Sequence, residues 1–258
     1  MRRAWVVLAF VVALSVTTSA QAAPYADPLF GEVWNHFEHM TVNFWGPAMN
    51  TRFEPYADAT GGQRLVQYFE KGRMEINDAA MRDVSSGLLA TELVTGNMQM
   101  GHTAFQYKLP PSIPIAGDPH GIGPTYRWLS AQGKVLLEPT QPRLGMRTYF
   151  RVERDGDIFN EGADEEFGKY GLDVYDGPTG HNVMAAFTSY RNYVGLDAVG
   201  YAISEPFVAK FTIQGVERPI YVQIFQRRVL TYNDANPDDF KIEFGNIGIH
   251  YVSWRYEG

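Results

Sequence analysis

Asp118 and His120 stand two apart in the stretch GDPHG, and His181 sits in a second short loop, TGHN. One carboxylate and two imidazoles would make a mixed oxygen and nitrogen donor set, the kind a metal-assisted hydrolase uses. Gly- and Pro-rich loops are also where binding residues gather. A catalytic zinc takes three protein ligands plus an open position with second-shell support, and no fourth residue is spaced to support these three. Asp118, His120 and His181 are therefore read as candidate binding residues. No catalytic residue, metal or cofactor is expected, and an extracellular hydrolase built on the three is the alternative.

Other chemistry is weaker. Glu54 and Glu205 could form the carboxylate pair of a glycosidase, but each precedes a proline and an aromatic residue, Glu54-Pro55-Tyr56 and Glu205-Pro206-Phe207. A carboxylate demanded twice at the same kind of step is better explained by holding a turn through backbone hydrogen bonds. His36 and His39 lie off the apolar face of a predicted helix, without the zinc-protease spacing. His102 and His250 fall in or beside predicted strands with no ligand-spaced neighbour. There is no G-x-S-x-G elbow and no phosphate-cradling glycine loop. Trp45, Trp128 and Trp254, among 14% aromatic residues, offer rings for a sugar-binding surface, and Trp45 and Trp128 are taken as binding candidates.

The elements that must position these residues come in two similar sets. VQYFEKGRMEIND (66–78) returns as VQIFQRRVLTYND (222–234). Each copy reads as a strand, a short loop and a return strand, with Met74 and Ile76 matched by Leu230 and Tyr232. Gly72 is expected in the left-handed region, so that Arg228 at the matching position is either strained or sits in a loop of another shape. A helix precedes each hairpin. The first begins at Asp27-Pro28, a cap followed by the favoured first-turn proline, and repeats Phe30, Val33, Trp34 and Phe37 at helical spacing. The second repeats Val183, Ala186, Phe187 and Tyr190, with Asn182 as its cap. Between the units, PTYRWLSAQGK reads as a short helix, MRTYFRVERDGDIF as a hairpin turning at Asp155-Gly156, and NEGADEEFGKYG as a solvated loop. GNIGIHYVSWRY, at the C-terminal end, reads as a strand.

The first residues read as an address. Arg2 and Arg3, the apolar run 4–16 and small residues up to Ala22 form a secretory signal, with cleavage after residue 22. The run is too short to span a bilayer comfortably. Of 258 residues, 236 would remain, carrying 20 basic against 29 acidic side chains. That balance disfavours nucleic acid and anionic lipid as partners. Without cysteine, an exported chain must be held together by packing alone.

The runs EPYADATGGQRLVQYFEKGRMEI, GLLATELVTGNMQMG, TGHNV, VQIFQRRVLTYN and GNIGIHYVSWRY resemble a family of exported proteins common in Chloroflexota. The resemblance implies export and brings no reaction with it. The single unit is also similar to LGFP-type repeats of bacterial envelope proteins, a likeness carried by Gly200, Glu205, Gln223 and Phe225, and by Gln67, Phe69, Gly72 and Met74. Ala202 and Arg228 depart from that pattern. This second likeness implies attachment to the cell wall.

The expected fold is β-rich α+β: two helix-plus-hairpin units, 23–101 and 179–258, sharing a core, with a β and loop insertion at 102–178. The expected function is a non-catalytic binding or attachment module for envelope or extracellular glycan, located outside the cytoplasm. The hydrolase is one alternative, and a self-associating subunit of a surface assembly is another.

Overall fold

The computed structural model describes residues 24–41, 43–160 and 171–257. The expected signal segment and nearly all of the acidic loop lie outside the described residues. Helix α1 (Pro28–Met40) starts where Asp27 accepts a hydrogen bond from the Leu29 N–H at 2.8 Å. Strands β1 (Ala48–Pro55), β2 (Gln63–Phe69), β3 (Gly72–Asp78) and β4 (Asp83–Ser86) follow as an antiparallel meander, closed by helix α2 (Leu89–Thr95). Next come a small pair, β5 (Asn97–Gln99) and β6 (Phe105–Tyr107), helix α3 (Tyr126–Ala131), and a hairpin of β7 (Phe150–Val152) and β8 (Ile158–Phe159) turning at Asp155-Gly156. A second pair, β9 (Leu172–Asp176) and β10 (His181–Met184), leads into helices α4 (Ala185–Val194) and α5 (Leu196–Val199).

A second antiparallel meander then runs through β11 (Phe207–Ile213), β12 (Val216–Ile224), β13 (Val229–Tyr232) and β14 (Ile242–Phe244). Helix α6 (Ile247–Val252) closes it and continues as a π-helical turn, Ser253–Glu257. Strand β7 pairs parallel with β11, which extends this sheet to six strands. The fold is β-rich α+β. Among the described residues no helix is long and apolar enough to cross a membrane.

Alternation along the strands builds two cores. Met74, Ile76, Tyr221, Phe225 and Leu230 face one, together with Phe30 of α1 and Phe187 of α4. Val66, Tyr68, Phe207, Phe211, Val222 and Ile224 face the other, with Leu93 of α2, Leu129 of α3 and Tyr251 of α6. Each core thus draws on both meanders.

The two hairpins share more than their pattern. Gln67 Oε1 accepts from Ala26 N at 2.8 Å and its Nε2 donates to Pro24 O at 2.9 Å. Gln223 Oε1 accepts from Met184 N at 3.3 Å and its Nε2 donates to Asn182 O at 2.7 Å. In both cases one amide side chain satisfies two backbone groups of the segment entering a helix. The hairpin tips are latched crosswise. Thr91 of α2 donates its N–H and hydroxyl to Gln226 O, while Gly248 and Ile249 of α6 donate to Glu70 O. A Cβ at Gly248 would stand 1.8 Å from Phe69 O, so only glycine lets α6 approach this closely.

Four expectations are corrected here. Gly72 is not left-handed and neither is Arg228. The glycine is required instead because the Arg228 guanidinium occupies the space a side chain would take. Asn182 is no helix cap, since α4 begins three residues later and Asn182 pairs with Tyr175 inside β10. Glu54 and Glu205 are not at matching positions: Glu54 pairs with Arg64 within β1, while Glu205 precedes β11. The C-terminal stretch is helical, because Ile247, His250, Tyr251 and Trp254 fall at helical spacing and all are buried.

Candidate functional site

Helix α3 is short but firmly started. The Thr125 hydroxyl accepts from Trp128 N at 3.1 Å, a side-chain cap of the usual kind. That cap sets Trp128 half-buried on the core edge, facing the β7–β8 hairpin. Between them opens a cleft of about 370 Å³. Trp128 forms one wall, Glu153 and Asp155 another, and Lys210 of β11 rims it. Gly156 sits directly on the indole nitrogen, where a Cβ would be 2.8 Å from Nε1, and this N–H has no hydrogen-bond partner among the described residues. Asp155 Oδ1 accepts from Asp157 N at 3.1 Å, which fixes the turn that presents it. A ring beside carboxylate acceptors and an ammonium donor can hold a polar ligand that also has an apolar face.

A second cavity of about 370 Å³, the hairpin-tip cavity, lies where the tip of the first hairpin, Glu70-Lys71, meets the loop at Gly117-Asp118 and the end of β14. Glu70, Lys71, Glu243, Asn246 and His250 line it. His250 is 5% exposed, and its Nδ1 is 3.0 Å from the Tyr126 hydroxyl. Burial pushes this imidazole down to about 4, so it is uncharged at neutral pH.

The residues singled out in the sequence have separate fates. Asp118 accepts from Gln214 N at 3.0 Å and Gly215 N at 2.8 Å, both in the left-handed turn joining β11 to β12. Its carboxylate edges the second cavity but is committed to that turn. His120 is exposed on the same loop. His181 is buried at the opposite end of β11, its Nδ1 3.5 Å from Glu205. Asp118 and His181 are therefore separated by the length of β11, on the order of 20 Å, and the three-residue cluster does not assemble. Trp45 is fully buried against Phe44 and Phe69 and lines no surface. Trp254 is buried too, donating to Leu109 O at 2.8 Å. Of the expected binders, Trp128 and Asp118 border cavities.

Neither glutamate is free for chemistry. Burial would raise Glu54, but Arg73, Arg255 and the Tyr256 and Tyr68 hydroxyls hold it below the usual carboxylate range. Burial opposes ionisation of Glu205 as well, and the neighbouring His181 ring at 3.5 Å, with hydrogen bonds from Asn182 and Thr140, outweighs it. Among the described residues no three His, Cys, Asp or Glu side chains converge as a metal site. The sequence does not single out Glu153 or Lys210, and His250, set aside there for want of a ligand-spaced neighbour, lines the second cavity. The available signals were the Asp155-Gly156 turn and the short helix bearing Trp128, each legible alone but not their facing. No protein-family model, curated protein or solved structure matches the chain.

Proposed function

We propose that this chain is an exported, non-catalytic binding module for envelope or extracellular glycan, with the Trp128 cleft as its saccharide site. The observation that carries the reading is the pairing, in one open cleft, of an indole wall with Glu153, Asp155 and Lys210. Sugars present an apolar ring face and a belt of hydroxyls, and this lining offers a partner for each. Export rests on the basic, apolar and small-residue segments at 2–22.

The test is a pull-down of the mature protein on purified envelope polysaccharides, followed by calorimetry on the polysaccharide captured. Asp155→Ala and Lys210→Ala alter exposed side chains and should leave the fold intact. Each should weaken binding about tenfold, the equivalent of one lost charge-assisted hydrogen bond. Trp128→Ala should weaken it further. Capture by no polysaccharide, or full affinity in all three variants, would overturn the reading.

A further inference from the structure

The two cavities stand in a fixed relation. Ala209 lines the Trp128 cleft and Ile213 lines the cavity at the hairpin tips. They share one face of β11, four residues and so about 13 Å apart. Phe211 lies between them, covered by the loop 117–123. That loop is pinned to the strand: Asp118 N donates to Thr212 O at 2.8 Å, and Ile122 N to Thr212 Oγ1 at 3.0 Å. Its glycines keep it low, since a Cβ at Gly123 would stand 2.3 Å from Phe211 and one at Gly117 2.4 Å from Thr212 O. His120 is exposed on this loop. Helix α3 serves both sides, carrying Trp128 at one cavity and, two residues earlier, the Tyr126 that holds His250 at the other.

The second cavity suits hydroxyls as well as the first. Glu70 and Glu243 accept, Lys71 donates, and Asn246 does both. His250, whose Nδ1 is hydrogen-bonded with the Tyr126 hydroxyl, adds an uncharged imidazole. Such a lining meets donors and acceptors alternately and matches no single charged ligand.

We propose that the Trp128 cleft and the hairpin-tip cavity are two subsites of one track for a linear polysaccharide, which crosses the loop 117–123 past His120. The proposal rests on the glycan reading above and extends it: the ligand is a chain long enough to fill both cavities. Linking two weak subsites makes the second contact intramolecular and raises affinity steeply once the chain spans them.

The experiment titrates the mature protein with size-fractionated oligosaccharides, disaccharide to octasaccharide, from partial hydrolysates of chitin, cellulose and peptidoglycan glycan. The expected result is a stepwise fall in Kd of at least about tenfold within the ladder of the recognised glycan. Glu243→Ala and Asn246→Ala, both at exposed positions, should abolish the step and leave short-chain affinity unchanged. Asp155→Ala should weaken every length by a similar factor. A Kd independent of length, or a step that survives both hairpin-tip variants, would overturn the single track while leaving the Trp128 cleft in place. Binding of no oligosaccharide at any length, or binding indifferent to Asp155→Ala, would overturn the cleft and the track together.

Discussion

The guanidinium of Arg228 lies against Gly72, the residue 156 positions before it, so closely that a Cβ on Gly72 would stand 2.4 Å from Nη1 and 2.7 Å from Cζ. Arg228 is fully buried, and among the described residues none of its three nitrogens finds a hydrogen bond. Its company is aromatic: Trp45, Phe44 and Phe244 present their faces at 4.6, 4.8 and 5.2 Å. Desolvation pushes this guanidinium down to about 9, still charged at neutral pH. The penalty of burying the cation, several kcal/mol, is thus met by ring faces in place of a carboxylate, each worth about 2 kcal/mol when desolvated.

Gly72→Ala should therefore destabilise the protein by about 2 kcal/mol through overpacking. Most of that loss should vanish in an Arg228→Ala background, because the clash goes with the guanidinium. Urea denaturation of the two single variants and the double variant gives the coupling. Additive effects would show that the two residues do not press on each other. Arg228→Met, which keeps the volume and drops the charge, should lie within about 1 kcal/mol of the parent.

Gln67 and Gln223 do the same work in different surroundings, Gln67 4% exposed and Gln223 fully buried. Gln223 also donates to Ser204 O at 2.9 Å. Gln223→Ala should cost about 3 kcal/mol, since it strands buried backbone groups and opens a void, and Gln67→Ala about 2 kcal/mol. Thermal melts of the two variants test both the sizes and the order.

Glu54 neutralises part of a buried cluster in which Arg73 contacts Glu54, Glu75 and Glu92, and Arg255 contacts Glu54 at 3.0 Å. Glu54→Gln should lower stability by about 3 kcal/mol, because it leaves arginine charge under-compensated in a dry site. Both Glu54 and Glu205 have folded values below the usual 4.5. Their stabilisation is complete above that value and disappears as pH falls through the folded values. Acid unfolding of Glu54→Gln should accordingly show a shallower loss below pH 4.5 than the parent.

His250 acts higher on the pH scale. Its imidazole falls from 6.5 to about 4 on folding, so between those values the unfolded chain binds a proton that the folded one does not. Stability should be complete above pH 6.5 and decline by up to about 3 kcal/mol as pH falls toward 4. His250→Asn should flatten the curve across that window. Chemical denaturation at half-unit pH steps reads the difference, and parallel curves for parent and variant would refute the assignment.

Much of this was legible in the sequence wherever local and tertiary demands agree. Asp27-Pro28 starts a helix in isolation as well as in the fold, and the alternation in VQYF and RMEI survives because each face meets its own core. The C-terminal GNIGIHYVSWRY misled because its apolar residues fit both periods. What anchors the helix is a distant carbonyl, Glu70 O, which accepts from Gly248 N and Ile249 N. Trp128 could be placed on a capped helix and Asp155-Gly156 in a hairpin. That the two face each other depends on the parallel pairing of β7 with β11, a contact between segments more than fifty residues apart, which no local pattern encodes. Trp45 sits in NFWGP without periodicity, and only the aromatic nest around Arg228 explains its burial.

The crosswise latch has a consequence for how the chain comes into being. The tip of the first hairpin, at Glu70, is held by Gly248 and Ile249, 178 and 179 positions further along the chain. Until that distant segment arrives, the tip of the first sheet stays uncapped. Its partner helix α2 is made early and must wait for Gln226. Acquisition of structure is then governed by encounters between distant segments, the slow regime of high contact order, and neither hairpin is latched without the other unit.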